Sequence, residues 1–356
     1  MRWDLFLLGC AFAPSCSAER ALHWVIRVSS LEETLAFTTD VLNMTVLRHE
    51  ENAEPCPLTC NGVFDTPWSK TMVGYGPEDS HYALELTYNY GIAAYERGAG
   101  LQRFVIRMEN PFGALDAARA KGYAVDQSIV TGPDGYMYEL VQGGRVQQEF
   151  DAVVLKAADP AALAAWYARM IGMTSEPLAH GAHRVGFKTS GMNDFSNGFV
   201  IEPTADGGAP RIEQWEGRNA IALPETTLRA INERIKAEAP SLIIHEMREL
   251  HEKLGTLFIV ILRDVAGYEV CLVSIETFDP SVREATNYVG PDWGARKETL
   301  EHVQGLQALA DARQRMFEQM QGSSDEGNAE DEGEGDDEDD EDDEDEDDDE
   351  SPKDEV

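Results

Sequence analysis

The chain has 356 residues with a formal charge of −37, and 23 acidic residues against a single Lys lie between Asp325 and Val356. The remainder still carries 43 acids against 28 bases. That balance repels phosphate backbones at long range and excludes nucleic acid as a partner. Five cysteines, an odd and sparse set, argue against a disulfide framework and leave Cys56 and Cys60 as reduced loop thiols.

Residues 1–20 read as a leader. The apolar run at 5–13 is too short to span a bilayer, and no later segment could, so no membrane partner is expected. Asp4 and one early Arg count against a secretory signal. A targeting or disordered leader is expected, with a cytoplasmic or mitochondrial destination ahead of secretion.

The elements then follow in chain order. Residues 21–28, ALHWVIRV, read as a strand rich in aromatic and β-branched residues. Apolar spacing predicts a helix over 31–42, with Ser30 as N-cap. Strands are expected at 46–50, 70–75 and 82–88, the first two separated by a loop punctuated with Pro, Gly and Asn. The order β-α-β-β-β then recurs. A strand at 101–108, a helix at 112–121, a strand at 123–129 and another at 136–141 make a shorter second module. The third has a strand at 152–156, a helix at 160–171 behind Asp159, and strands at 183–188 and 198–202. The fourth has strands at 219–223, 256–262 and 268–273 around a helix at 225–237.

The repeat is visible in residues. LEETLAFTTDVLNM ends at Met44 and PAALAAWYARMIGM at Met173, an offset of 129; GPDGYMYEL echoes DVAGYEVCL. Internal repeats of this kind mark stacked copies of one unit. The expectation is an α+β fold of paired βαβββ modules, four of them in two halves. The expected domains are 21–145 and 146–280, then a helical segment at 281–322 and a disordered acidic tail at 323–356. The tail serves either solubility or attachment of a basic protein partner.

The stretch SKTMVGYGPEDSHYALELTYNYG, with VLRHEE and the Cys60-Asn61-Gly62 tripeptide, resembles glyoxalase domain-containing proteins of the vicinal oxygen chelate (glyoxalase / bleomycin resistance) superfamily. The resemblance runs from about Leu22 to Ser274 and is diffuse after residue 180. It implies cupped sheets around a pocket. In the glyoxalase I enzymes of that family a divalent metal (Zn, Ni, Mn or Mg) lies there, held by the first and last strands of two modules. It enolises a glutathione hemithioacetal while a glutamate moves the proton.

Strands alternate their side chains between two faces. By that rule His23 and Arg27 share a face, and so separately do Arg103 with Arg107. Glu85 and Glu139 each interrupt an otherwise apolar strand. His23, Glu85, Arg103 and Glu139 resemble the four ligand positions and are expected to converge in one cup. His23, Glu85 and Glu139 would then be the metal ligands, and Glu139 or Glu85 the proton-moving acid. Arg103 departs from the pattern, because a guanidinium stays protonated and cannot ligate; a one-residue shift would put Gln102 there. Two readings therefore stand. In one a metal is held with open positions. In the other Arg103 neutralises a glutamate, no metal binds, and the cup recognises an anion or nothing, with Arg103, Arg27 and Arg107 as the candidate anion or substrate contacts. The corresponding positions of the third and fourth modules are expected to be Ala152, Glu202, Asn219 and Cys271, with Glu269 nearby.

Three functions follow. The first is a glyoxalase-like lyase or isomerase acting on a small hydroxy-carbonyl or thiol-conjugated substrate. The second is a non-catalytic ligand-binding or protein-interaction module, and the last a sequestering pocket of the bleomycin-resistance kind. A homodimer is an expected assembly.

Overall fold

The computed structural model describes residues 19–143, 149–188, 195–252 and 255–285, and isolated helical positions at 301, 304, 305 and 308. The expected leader up to residue 18, the acidic tail and nearly all of the helical segment beyond 285 lie outside the described residues. Among those described, no helix is long and apolar enough to cross a membrane.

Four modules follow one another. The first is β1 (Arg20–Arg27), α1 (Leu31–Asp40), β2 (Thr45–Asn52), β3 (Trp68–Gly74) and β4 (Ala83–Asn89). The second is β5 (Leu101–Met108), α2 (Pro111–Ala120), β6 (Ala124–Asp126), β7 (Ile129–Thr131) and β8 (Met137–Gln142). The third is β9 (Glu149–Ala157), α3 (Pro160–Met170), β10 (Thr174–Pro177), β11 (His183–Lys188) and β12 (Phe195–Pro203). The fourth is β13 (Arg218–Leu223), α4 (Glu225–Glu238), β14 (Ile243–Glu252), β15 (Gly255–Arg263) and β16 (Glu269–Ser274), with α5 (Ile275–Ala285) directly after it. Local chemistry sets several boundaries. The Ser30 hydroxyl accepts the Glu33 N–H and the Asp159 carboxylate accepts that of Ala162, capping orphan donors at the helix starts. Pro160 occupies a first-turn position of α3 where its missing N–H costs nothing.

The modules form two eight-stranded sheets, and the pairing differs from chain order. One sheet runs β14-β15-β16-β13-β1-β4-β3-β2 and the other β10-β11-β12-β9-β5-β8-β7-β6. The first module therefore lies beside the fourth, and the second beside the third. Each sheet is completed by an antiparallel seam, β1 on β13 and β5 on β9. At the first seam Gly217 has φ +65°, and a Cβ there would lie 1.8 Å from the Val25 carbonyl oxygen. Only glycine allows the two strands to meet that closely.

The main core lies between one face of each sheet and the helices. Trp24 and Ile26 of β1, Phe37 of α1, Phe104 of β5, Tyr167 of α3 and Phe199 of β12 belong to one buried cluster. Two related clasps tie the sheets together. The Tyr136 hydroxyl meets both backbone groups of Arg27, at 3.1 Å from N and 3.0 Å from O. The Tyr268 hydroxyl meets those of Lys156 at 3.2 and 2.7 Å. Arg27 and Lys156 are separated by 129 residues, so the echo between GPDGYMYEL and DVAGYEVCL is an echo in structure too.

The second module is complete, its apparent shortness arising from strands of three residues. The strands β10 and β14, with sequences TSEP and IIHEMRELHE, were not expected; both are edge strands, and their polar composition hides the alternation. Cys56 and Cys60 are joined by a disulfide, against the expectation of reduced thiols: the loop's turn brings two residues four apart face to face, which cysteine counting alone does not register.

Candidate functional site

The faces turned away from the shared core are two cups, one on each sheet. In the first, alternation sets His23, Val25 and Arg27 on one side of β1, and the register carries that side across the sheet. Val25 lies opposite Glu85, His23 opposite Ala220, and Ala220 opposite Cys271. His23 and Glu85 are 8% and 5% exposed. His23 Nε2 is 3.4 Å from Glu85 Oε2, and the Thr87 hydroxyl donates to Glu85 Oε1 at 3.2 Å.

Three cations border this pair. Arg48 Nε donates to Glu78 at 2.6 Å, and Arg48 also meets Glu50. Lys70 Nζ is 4.0 Å from Glu50. Arg218 pairs with Glu269 at 2.8 Å and donates to the Leu58 carbonyl at 3.2 Å. The loop carrying Leu58 and Cys60 is fixed by buried Asn61, whose side chain accepts the Cys56 N–H and donates to Asn89 of β4. A cavity of about 60 Å³ opens over the pair, bordered by Arg48, Lys70 and Arg218 and by an apolar wall including Leu257, Ile259 and Phe278. A second cavity of about 230 Å³ shares Cys60, Lys70 and Leu250 with the first and reaches Glu54, Trp68 and His251. A third, of about 350 Å³, lies against Arg27, Arg263 and Glu269. Arg27 is buried, its Nη1 donates to the Gln214 carbonyl, and its Nε makes no hydrogen bond among the described residues. Burial, and then Arg218 nearby, push its guanidinium below the usual value.

Burial is also the main reason the His23 pKa is pushed down to about 3, with Arg48, Lys70 and Arg218 adding to the effect and Glu78 opposing it. The imidazole is thus neutral at pH 7. Between pH 6.5 and 3 the unfolded chain binds a proton that the folded one refuses, so the His23 contribution to stability falls as the pH falls. A depression of this size corresponds to roughly 5 kcal/mol. Asp264 works in the opposite sense. Burial lifts its pKa to about 6, so its contribution declines as the pH rises from about 4 to 6. Denaturation of wild type and His23→Gln across pH 3–7 isolates the His23 part. The variant is expected to lose less stability on acidification, and parallel curves would refute the assignment.

The second cup has a different interior. Val105, Ala152 and Val154 form a buried apolar floor with Val141 and Val200 against it. Beside that floor, Arg103 Nε donates to Glu139 at 2.7 Å and its Nη2 to Glu202 at 3.1 Å, while Lys156 Nζ takes the other Glu202 oxygen at 3.0 Å. Arg107 pairs with Asp151. Arg103 itself is raised in pKa: burial works against it, but the two glutamates outweigh burial.

The four residues expected to converge are therefore divided. His23 and Glu85 meet on one sheet; Arg103 and Glu139 meet on the other. The reason is the module pairing, since the expectation assumed that consecutive modules share a cup. Arg103, rather than Gln102, faces the second cup; Gln102 turns its amide to the Ala99 carbonyl. In the third module Val200, not Glu202, corresponds to Glu85, because Ala152 is two residues from Val154 and Val154 pairs with Val200 as Val25 pairs with Glu85. In the fourth, Ala220 faces the first cup, while Asn219 accepts from the Tyr82 hydroxyl on the core side.

This bears on the divalent ion that the fold family implies. A protein-held metal needs three or four donors. The first cup supplies His23 and Glu85, while the fourth-module positions facing them are Ala220 and the soft thiol of Cys271. Among the described residues no three His, Cys, Asp or Glu side chains are grouped to hold a metal ion. With three basic side chains around the same cavity, the residues do not fit a divalent ion.

Arg48, Lys70 and Arg218 were not among the expected site residues. A signal existed for two of them: alternation in VLRHEE and SKTMVG places charged residues at the inward positions of β2 and β3. Arg218 and Phe278 carried no such signal, because their place in the cup depends on the pairing of the first and fourth modules.

Comparison with known proteins agrees with this architecture. Residues 20–143 match the family model described as Glyoxalase/Bleomycin resistance protein/Dioxygenase superfamily. The chain is 31% identical to "Glyoxalase 1" of Caenorhabditis briggsae over 286 residues, 80% of this chain and 96% of that protein. It is 32% identical to "Glyoxalase domain-containing protein 4" of Mus musculus over 268 residues, 74% and 87% of the two chains. The crystal structure of glyoxalase I from Zea mays superimposes with a TM-score of 0.60 at 20% identity, covering 76% of this chain and 98% of that one, a likeness of fold.

Proposed function

The chain belongs to the glyoxalase/bleomycin resistance protein/dioxygenase superfamily, and from that premise we propose that it is a glyoxalase-like lyase or isomerase acting on a small hydroxy-carbonyl or thiol-conjugated substrate in the first cup. The observation that carries this reading is the His23–Glu85 pair, 3.4 Å apart, beneath a cavity with one basic and one apolar side. Sites of this kind, mostly apolar with a few convergent polar groups, orient small ligands.

The steps belong to this chain's own side chains. Glu85 removes the proton from the carbon bearing the hydroxyl group and delivers it to the neighbouring carbonyl carbon, while the hydroxyl proton passes to the former carbonyl oxygen, so that one C–H and one O–H bond are broken, one of each is formed, and the substrate is isomerised with no net change in protons. The negative charge that develops on oxygen between these events faces Arg218, Arg48 and Lys70, fixed cations in a site largely closed to water. Neutral His23 orients the Glu85 carboxylate. Arg27, a buried cation with an unused donor that lines the separate third cavity, suits the anionic end of a substrate long enough to reach from one cavity to the other. Glu139, held by Arg103 on the other sheet, takes no part. The apolar floor of the second cup favours a non-catalytic role for that half, as scaffold or ligand-binding surface.

The test is proton exchange. Hemithioacetals formed from methylglyoxal and a panel of small thiols are incubated with the protein in D₂O and followed by NMR. Deuterium is expected at the former carbonyl carbon, which carries the hydroxyl group in the product. Binding without exchange for every thiol would leave only the ligand-binding reading standing.

A further inference from the structure

The first cup has a feature that the second lacks among the described residues. The helix α5 leaves β16 and folds back over the concave face, packing on β13, β15 and β16. Ile275, Phe278 and Val282 bury one side of it in a cluster separate from the main core, with Leu22 of β1, Leu58 and Trp68 from the first module. Its polar residues tie it across the cup. Asp279 pairs with Arg20 at the start of β1, and Arg283 Nε reaches Asp79, in the turn before β4, at 2.9 Å. At its base the Thr277 hydroxyl accepts the Phe258 N–H of β15 at 3.3 Å, and the Glu276 carboxylate accepts the Glu225 N–H at 2.9 Å. The helix thus spans from the fourth module to the first.

Phe278 is the α5 side chain that borders the His23–Glu85 cavity. That cavity is about 60 Å³. A water occupies about 30 Å³ of liquid, and an enclosed apolar cavity of about 150 Å³ takes benzene. The space beside the His23–Glu85 pair is therefore suited to a head group of a few heavy atoms, and the Phe278 ring occupies part of the room that a ring-bearing head would need. Apart from Phe278, the apolar lining is mainly aliphatic, so the favoured group combines a hydrocarbon part with an oxygen for the basic residues.

We infer that α5 is the roof of the first cup and that Phe278 is a specificity-determining residue, limiting the ligand to a short aliphatic acyl or hydroxyacyl head. The choice of substrate rests on the function proposed above; the roof does not. Removing the Phe278 ring leaves a space of the ring's own size directly above the site. A pocket enlarged in this way shifts preference between a methyl and a phenyl head by roughly 10- to 200-fold.

The experiment uses the full chain as wild type, Phe278→Ala and Phe278→Leu, the last to keep a folded comparison should the alanine variant fail to fold. Benzene is titrated calorimetrically and by its effect on the melting temperature. Saturable binding with an upward melting shift is expected in the variants and none in wild type. Equal binding by wild type, or none by a folded variant, overturns the inference. In the exchange assay, the variants are expected to process phenylglyoxal-derived hemithioacetals relative to methylglyoxal-derived ones at least 10-fold better than wild type. Benzene binding confined to the variants, with no exchange by any protein, would uphold the roof while sinking the enzymatic reading.

Discussion

Replacing Glu85 with Gln is expected to reduce substrate proton exchange by roughly 10²- to 10⁴-fold, the usual worth of a positioned general base. The change is nearly isosteric, and the Thr87 hydroxyl that donates to Glu85 Oε1 can donate equally to an amide oxygen. The fold should therefore survive, and ligand affinity should change much less than turnover. Glu139→Gln is the matched control. It neutralises one of the two carboxylates that Arg103 meets on the other sheet and leaves it Glu202, in a partly exposed pair whose contribution is modest, and turnover should stay within about twofold. Rates measured at saturating substrate decide the matter. A Glu139 variant as impaired as the Glu85 variant would contradict the assignment of the first cup as the reacting site.

The largest stability effect is expected at Trp24. Its ring is 1% exposed, its Nε1 donates to the Glu216 carbonyl at 2.6 Å, and it meets Phe199 edge-on at 6.2 Å. Trp24 belongs to β1 of one sheet and Phe199 to β12 of the other, so the contact joins the layers. Truncating a buried ring leaves a cavity that the neighbours fill only partly, and Trp24→Ala should cost about 3–5 kcal/mol. Equilibrium urea unfolding, compared at constant slope, gives the number. A loss under about 1 kcal/mol would mean that the interface between the sheets is not the principal core.

Much of the candidate site could be read from residue order. The alternation in ALHWVIRV puts His23 and Arg27 on one face, as the register of β1 with β4 and β13 has it. Glu85 stood out as a charge inside a buried strand, and it is 5% exposed. The same rule misplaced Asn219 by one residue. β13 directly follows Gly217, whose φ is +65°, and β1 carries a register shift between Ala21 and His23; neither irregularity has a period. Val200, which stands where Glu85 stands, and Glu202 lie two residues apart on one face of β12, so alternation alone does not choose between them and only the pairing of Val154 with Val200 does.

The sequence by itself determined the module. Hydrophobic period, caps and the 129-residue repeat specify each βαβββ unit and which of its side chains face the same way, because these depend on neighbours along the chain. Only the tertiary structure decided which modules share a sheet. Strand edges pair through backbone groups common to every residue, so nothing local distinguishes the edge of β13 from that of β5 as the neighbour of β1. That choice is made by the core as a whole, through Trp24 against Phe199 and the Tyr136 and Tyr268 clasps. It is also what separates Glu139 from Glu85 and places Arg218 and Phe278 over His23.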